Sequence, residues 1–356
     1  MPEYNLLSLN VRGLRNKAKR KQIFEWLKRC HNGGNCFVFL QETHSSKMDE
    51  DAWQEEWGSK IIFGHGSTNS RGVVIMFPMH FNFDSIRIVS NIDGRKLCVE
   101  LFENDESFAL LNVYAPTQDN TDEHIKLIDS FRAELETLSE KLVIGGDLNL
   151  YLDPNLDKDV PQSKAGKAAF ELKNVLNDYE YVDIWRILNP DTKRYTWCRK
   201  RPLVQSRLDY WFIPREMIFN ISSCSIKPAI KTDHRLISLK FIVGVPEERG
   251  PGLWKFNSSL LHNPEYVAAI KEIIRMHDEI ENKSLRWEFK KMKIRQFSIS
   301  FSKKLAKEKR EEEKKKILEL EIYSAEVDEN PTEDNFAKFE QAKIKIKSMK
   351  SKRMAL

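Results

Sequence analysis

The chain has 356 residues with 58 Lys+Arg against 53 Asp+Glu, a formal charge of +5, and 41% of it is hydrophobic. That length predicts two domains at ~150 residues each, and the apolar content excludes wholesale disorder. Five cysteines without a CxxC pair argue against a disulfide framework or a thiolate zinc site, while the lack of a leader-like N-terminus or an apolar run near ~18 residues speaks against secretion and any membrane partner.

In chain order, Tyr4–Asn10 reads as a strand, Asn16–Cys30 as a helix, and Cys36–Gln41, Gly72–Phe77, Lys96–Phe102 and Ser107–Tyr114 as further strands. Thr121–Ser139 has helical spacing, Lys141–Gly146 is strand-like, and Ser163–Tyr179 is again helical. Ser206–Ile213 and Leu236–Val243 complete the strands. Several strands follow one another with no helix between them, which disfavours a uniform βαβ sheet. The expected fold class is α/β, two sheets layered with helices outside, followed by an all-α extension.

Residues 1–245 balance at 33 Lys+Arg and 33 Asp+Glu, so the remaining 25 against 20 carry the whole excess. Residues 246–252 (PEERGPG) read as a linker, and 253–356 contain no further glycine. Asn263-Pro264-Glu265 is a helix start, with Tyr266, Ile270, Ile273 and Ile274 on one apolar face. A long helix over about 284–327 and a last one over 332–352 are expected to form a helical hairpin. The Lys-rich stretch 304–316 fits a solvated helix, a contact to RNA or DNA, or self-association.

Polar residues crowd the strand ends. Asn10 ends LNVRG, Glu42 follows the next strand in QETH, and Tyr114 closes NVYAP. Asp147 and Asn149 stand in GGDLN, Asp209 in SRLDY, and Asp233-His234 in TDH. Single residues of this kind cap turns; six such clusters are better explained by a shared cleft. Glu42, Asp233 and the amide oxygen of Asn10 are hard donors that suit Mg²⁺, with Mn²⁺ as substitute. His234 beside a carboxylate suits proton transfer, Asp147 can activate a water, and Tyr114 and Asn149 can donate to phosphate oxygens. Together they describe hydrolysis of a phosphoester.

LNVRG, QET, NVYAPT, GGDLN, RLDY and TDH, in this order, resemble the endonuclease/exonuclease/phosphatase superfamily, which includes DNase I and abasic-site endonucleases. QETH, NVYAPT and Tyr195–Trp197 most resemble endonuclease domains of LINE-type, non-LTR retrotransposons, and GLWKFNSSLLHNPEY resembles the segment that follows them. The resemblance implies a four-layer αββα sandwich and a Mg²⁺-dependent nick in one strand of double-stranded DNA. The 3′-hydroxyl so made would prime reverse transcription by a polymerase continuous with this chain, with element RNA a further partner through the Lys-rich extension. It also implies roles: Glu42 as principal metal ligand with Asn10 and Asp233 nearby, Asp209 orienting His234, Asp147 positioning water. A nuclear site of action follows from such a substrate.

Two basic clusters flank the motifs. One holds Arg12 and Arg15; the other, around Trp197, holds Lys193, Arg194 and Arg199. They are expected to contact DNA phosphates, together with Arg207 and, by resemblance, Thr196 on a DNA-contacting hairpin. Solvated faces are the plainer alternative. The competing functions are a lipid or inositol phosphate phosphodiesterase or phosphatase of the same superfamily, and a nucleic-acid-binding assembly module with a vestigial site. On this reading residues 253–356 are dispensable for nicking.

Overall fold

The structure is a computed structural model that describes residues 3–30, 35–79, 85–103, 106–117, 121–138, 140–159, 166–242, 256–275 and 283–351. The expected linker 246–252 lies outside the described residues.

In chain order the strands are β1 (Glu3–Asn10), β2 (Asn35–Gln41), β3 (Ile61–Gly64), β4 (Val73–Met76), β5 (Ser85–Ile92), β6 (Lys96–Glu103) and β7 (Glu106–Tyr114). They continue with β8 (Leu142–Asp147), β9 (Tyr181–Asp183), β10 (Trp197–Lys200), β11 (Leu203–Ser206), β12 (Asp209–Pro214), β13 (Ile221–Lys227) and β14 (Leu236–Ile242). The helices are α1 (Lys17–Cys30), α2 (Glu50–Trp57), α3 (Thr121–Asp129), α4 (Arg132–Leu138), α5 (Lys167–Asp178), α6 (Ile184–Leu188), α7 (Pro264–Arg275), α8 (Lys283–Glu329) and α9 (Glu333–Ser351).

Two six-stranded sheets, ordered β13-β14-β1-β2-β4-β3 and β5-β6-β7-β8-β12-β9, lie face to face. Leu6, Phe37, Phe39 and Ile75 of the first sheet share one core with Val99, Leu110, Val143 and Trp211 of the second. The outer face of the first sheet packs Leu7, Leu9 and Val38 against Phe24, Leu27, Trp53 and Trp57 of α1 and α2. The outer face of the second packs Leu111 and Ile144 against Ile128, Leu135 and Leu172 of α3, α4 and α5. This is the expected four-layer αββα sandwich. Burial on both faces explains why β1, β2 and β8 read as nearly continuous apolar runs; each large side chain so buried contributes about 1.5–3 kcal/mol.

Two expected elements divide. The Thr121–Ser139 helix breaks into α3 and α4, where the Ser130 hydroxyl donates to the carbonyl of Leu127. Ser206–Ile213 contains the end of β11 and the start of β12, separated by Arg207-Leu208. The sequence reading missed α2 and the edge strands β3, β5 and β13, because short or half-exposed edge segments carry a weak apolar pattern.

The chain forms two compact units. The first is wider than residues 1–245, because Glu321–Lys347, the end of α8 and most of α9, belong to it. The second holds α7 and the earlier part of α8, built around Leu260, Tyr266 and Phe301. There the Asn263 side chain caps α7 by accepting the N–H of Glu265 at 2.9 Å, with Pro264 at the first position as expected. Of the face expected for this helix, Tyr266 and Ile270 join that core, whereas Ile274 is exposed.

Candidate active site

Strand register gathers the polar ends on one rim. Asn10 pairs with Gln41 across the parallel β1–β2 ladder, one residue before Glu42. Tyr114 pairs with Asp147 across parallel β7–β8, and Asp147 faces Asp209 at the start of antiparallel β12. Parallel strands end, and antiparallel ones begin, at the same edge. Gly145 and Gly146 are required by this crowding. A Cβ on Gly145 would lie 2.1 Å from the Trp211 ring, and one on Gly146, at φ +137°, would lie 2.0 Å from the carbonyl of Val113. Arg12, Glu42 and Asn149 leave their strands in the left-handed region, at φ +52°, +51° and +49°. For non-glycine residues that conformation costs of order 1 kcal/mol or more and concentrates at functional sites.

Asn10 is fully buried and its Nδ2 donates to Glu42 Oε1 at 2.9 Å and to Asp147 Oδ2 at 2.8 Å. Its Oδ1 accepts the backbone N–H of Arg12 at 3.0 Å. The amide therefore faces the carboxylates with its nitrogen. In this arrangement Asn10 aligns Glu42 and Asp147 through its nitrogen, and the oxygen expected to ligate a metal is shared with the Arg12 N–H. Asp147 also accepts the N–H of Asn149 at 2.9 Å, and Asp209 Oδ2 lies 2.9 Å from His234 Nδ1. His234 Nε2 stands 3.8 Å from Asp147 Oδ2. The catalytic loop is fastened on both sides: the Thr232 hydroxyl donates to the Asn10 carbonyl, and Cys198 N–H donates to that of Asp233.

The electrostatics follow from burial and crowding. Burial, then the neighbouring Asp209 carboxylate, pushes Asp147 up to about 7 against the opposing pull of His234, Asn10 and the Asn149 N–H. Burial alone would lower the His234 imidazolium, but Asp209 and Asp147 outweigh it and hold the pKa up at about 10. Both shifts favour the protonated form, so the two carboxylates hold His234 toward its cation while burial makes Asp147 a stronger base than an ordinary carboxylate, the pairing that acid–base chemistry needs. Burial and the carboxylates of Glu42 and Asp147 raise the Tyr114 phenol far above its ordinary value, so it stays a donor.

These groups open into a cleft of about 580 Å³ lined by Glu42, Tyr114, Asn149, Asp233 and His234, with Arg12, Lys158, Trp197 and Arg199 on its walls. Asp233 Oδ2 accepts from Arg12 at 2.8 Å and from the Trp197 indole at 3.3 Å. Its buried Oδ1, and that of Asp209, have no hydrogen-bond partner. Among the described residues Asp147, Asp209 and His234 form a group whose ligand atoms lie within 4.8 Å of one another. Glu42 and Asp233 line the cleft beside that group and add further carboxylate oxygens to the donors available there. Such a hard set fits Mg²⁺ or Mn²⁺.

All eight expected catalytic residues line one rim or the array beneath it. The DNA-contacting set divides. Arg12 and Arg199 lie on the cleft, and Lys193 and Arg15 are exposed. Three residues are corrected. Thr196 is fully buried and its hydroxyl accepts the N–H groups of Leu208 and Asp209, which holds β12 in place. Arg207 is buried, donating to Asp157 at 2.8 Å and to Asp183 at 2.6 Å. Arg194 is paired with Asp328 at 2.9 Å. Both guanidinium charges are committed to carboxylates and the Thr196 hydroxyl to the backbone. The sequence pattern did not point to Lys158 on the cleft wall or to Arg95, whose guanidinium stacks 5.0 Å from the Tyr114 ring; His44 stands 4.0 Å from Glu42. No local motif marks Lys158 or Arg95, since each reaches the site from a separate loop.

Comparison with known proteins places this geometry. The sequence profile described as "Endonuclease/Exonuclease/phosphatase family" matches residues 4–234. A Xenopus laevis protein, "Transposon TX1 uncharacterized 149 kDa protein", is 30% identical over 310 residues. That match takes in 85% of this chain and only 23% of the relative's length. Among solved structures, the AP endonuclease LMAP from Leishmania major superposes with a TM-score of 0.58 at 18% identity, covering 68% of this chain and 89% of that one. An AP endonuclease from Archaeoglobus fulgidus gives 0.55 at 20% identity, covering 67% and 100%. The endonuclease domain of TRAS1, a telomere-specific non-LTR retrotransposon, gives 0.51 at 13% identity, covering 67% and 98%. The three structural likenesses speak to the fold.

Proposed function

The chain belongs to the endonuclease/exonuclease/phosphatase family of phosphodiester hydrolases, and on that premise we propose that it nicks one strand of duplex DNA with Mg²⁺ or Mn²⁺. The nick leaves a 3′-hydroxyl, and the chain is the endonuclease part of a LINE-type retrotransposon polyprotein that acts in the nucleus. The observation that carries this reading is the buried Asn10–Asp147–His234–Asp209 array opening into a cleft walled by Arg12, Lys158 and Arg199. Acidic machinery beneath a cationic rim suits a polyanionic diester. Similarity to a transposon protein over most of the chain supports the mobile-element context, and on this reading a reverse transcriptase belongs to the rest of the polyprotein.

In the reaction, water attacks phosphorus and Asp147 accepts one of its protons; the P–O3′ bond breaks, the phosphate keeps the new P–OH, and the departing O3′ takes a proton from solvent to become the hydroxyl. His234, kept protonated and oriented by Asp209, supplies a proton or a charged hydrogen bond to a phosphoryl oxygen. Tyr114 and the second amide hydrogen of Asn149, whose first is held by the Ala115 carbonyl, donate to the phosphate. Glu42 and Asp233 would hold a divalent cation, which when bound would neutralise charge developing on the phosphate. Supercoiled plasmid with Mg²⁺ tests the reading. Wild type is expected to give relaxed circles, EDTA to stop it, and Glu42→Ala or His234→Ala to slow it at least ~10³-fold. Absence of nicking, together with phosphate release from an inositol phosphate, would overturn it.

A further inference from the structure

The Asp328 side chain comes from the end of α8, 93 residues beyond the catalytic loop, yet it is 3% exposed and closes on two guanidinium groups of the sandwich. Its Oδ2 lies 2.6 Å from Arg235 Nη1 and 2.9 Å from Arg194 Nη1, and its Oδ1 accepts Arg235 Nη2 at 2.8 Å. Arg235 directly follows His234. Its backbone N–H donates to the Thr196 carbonyl at 2.6 Å and its Nη1 to that of Tyr195 at 3.0 Å. One residue before Asp328, the carbonyl of the buried Val327 accepts Gln205 Nε2 at 3.2 Å. The Phe339 ring of α9 lies 5.9 Å from the Arg235 guanidinium.

Arg194, half-buried, and Arg235, buried, bring two like charges to one spot, and Asp328 is the carboxylate that both share. Without it they must separate or admit water, because an uncompensated buried charge is far costlier than a paired one. Arg235 cannot move alone, since its backbone belongs to the contact that joins the catalytic loop to the root of the β10–β11 hairpin. We propose that Asp328 is a positioning residue for the nuclease: it neutralises Arg194 and Arg235, locks residues 232–235 onto residues 194–198, and so fixes His234 and Asp233. The end of the helical extension is then a working part of the active site, which replaces the expectation that residues 253–356 are dispensable. The inference rests on the nuclease reading for its kinetic arm only.

The test is Asp328→Asn in the full chain, by plasmid nicking and by amide hydrogen exchange. A displacement of about 1 Å at the loop is expected to lower kcat about 100-fold, with KM for plasmid within about threefold because the cleft cations remain. In the same variant, exchange protection is expected to fall at least about tenfold at Cys198 and Arg235, while β1 and β8 keep theirs. A kcat within about threefold of wild type, unchanged protection at those amides, or equal loss across both sheets overturns the proposal. Should Asp328→Asn fail to fold, Phe339→Ala removes the ring beside Arg235 and leaves the ion pairs. It is expected to lower kcat about fivefold with the same local exchange signature, and an unaltered kcat there counts against the proposal. A wild-type chain that does not nick refutes the nuclease reading, whereas the exchange arm still decides this one.

Discussion

Arg207 and Asp209 are two residues apart, yet they enter two buried ionic clusters of opposite character. Arg207 joins Arg186, Asp157 and Asp183, two guanidiniums facing two carboxylates, with the Tyr210 hydroxyl donating to the Arg207 carbonyl at 2.8 Å. Asp209 joins Glu42, Asp147 and Asp233, which face the His234 imidazolium, the exposed Arg12 and, 4.0 Å from Glu42, His44. Burial weighs on both, but the outcomes differ. Burial tends to raise Asp157, and Arg207 reverses it to hold the carboxyl below its ordinary value. Asp147 has no guanidinium and is raised to about 7. A compensated cluster is a fastening; an under-compensated one is a reagent, and it is tolerable because it opens on a cleft where a cation and substrate complete it.

Asp147→Asn breaks the contrast most sharply. The isosteric amide removes the least compensated carboxylate, so nicking is expected to fall by ~10³-fold or more. The same variant, measured without divalent metal, is expected to raise Tm by a few degrees, roughly the effect of 1 kcal/mol. A lower Tm would show that the carboxylate is structural after all.

Arg207→Gln should do the reverse. It leaves Asp157 and Asp183 without their shared cation, and denaturant unfolding is expected to show a loss of about 3–5 kcal/mol. Its pH dependence carries a definite sign. Asp157 is depressed in the folded state, so its contribution is present above the unfolded value of about 3.9 and is lost as pH falls through the lower folded value. The stability gap between wild type and Asp157→Asn should therefore hold from pH 7 to about 4 and narrow below that. A gap that narrows nearer pH 6 would contradict the pairing.

The smallest effect belongs to the rim. Arg199→Ala removes an exposed cation from the cleft wall and is expected to weaken DNA binding several-fold, lowering the salt slope of log K by about 1. The matched change Arg194→Ala should not alter the slope, because its charge is committed to Asp328. Equal slopes for the two variants would restore Arg194 to the DNA-contacting set.

The residues gathered on the rim were legible because each sits at a strand terminus, where a local apolar run stops and a polar residue stands out; Asn10, Glu42, Tyr114 and Asp147 are all of this kind. What each atom does was less so. The sequence reading turned the Asn10 oxygen to the metal; the Arg12 N–H shares that oxygen, and the nitrogen goes to the carboxylates. The cationic residues were least legible: Arg194, Arg199 and Arg207 look alike in a one-dimensional pattern.

By itself the sequence determined the layered sandwich, the rim on which the polar strand ends gather and the helical character of the last third, because these depend on apolar periodicity and strand-end punctuation within a few residues. Only the tertiary structure decided which arginines face DNA and which hold the protein together, and that the helical end reaches the catalytic loop. Arg207 finds its partners 24 and 50 residues away, and Arg194 finds its own 134 residues away. Charge compensation acts through space, and in a buried site it is the identity of the distant partner that makes a charged side chain a fastening or a reagent.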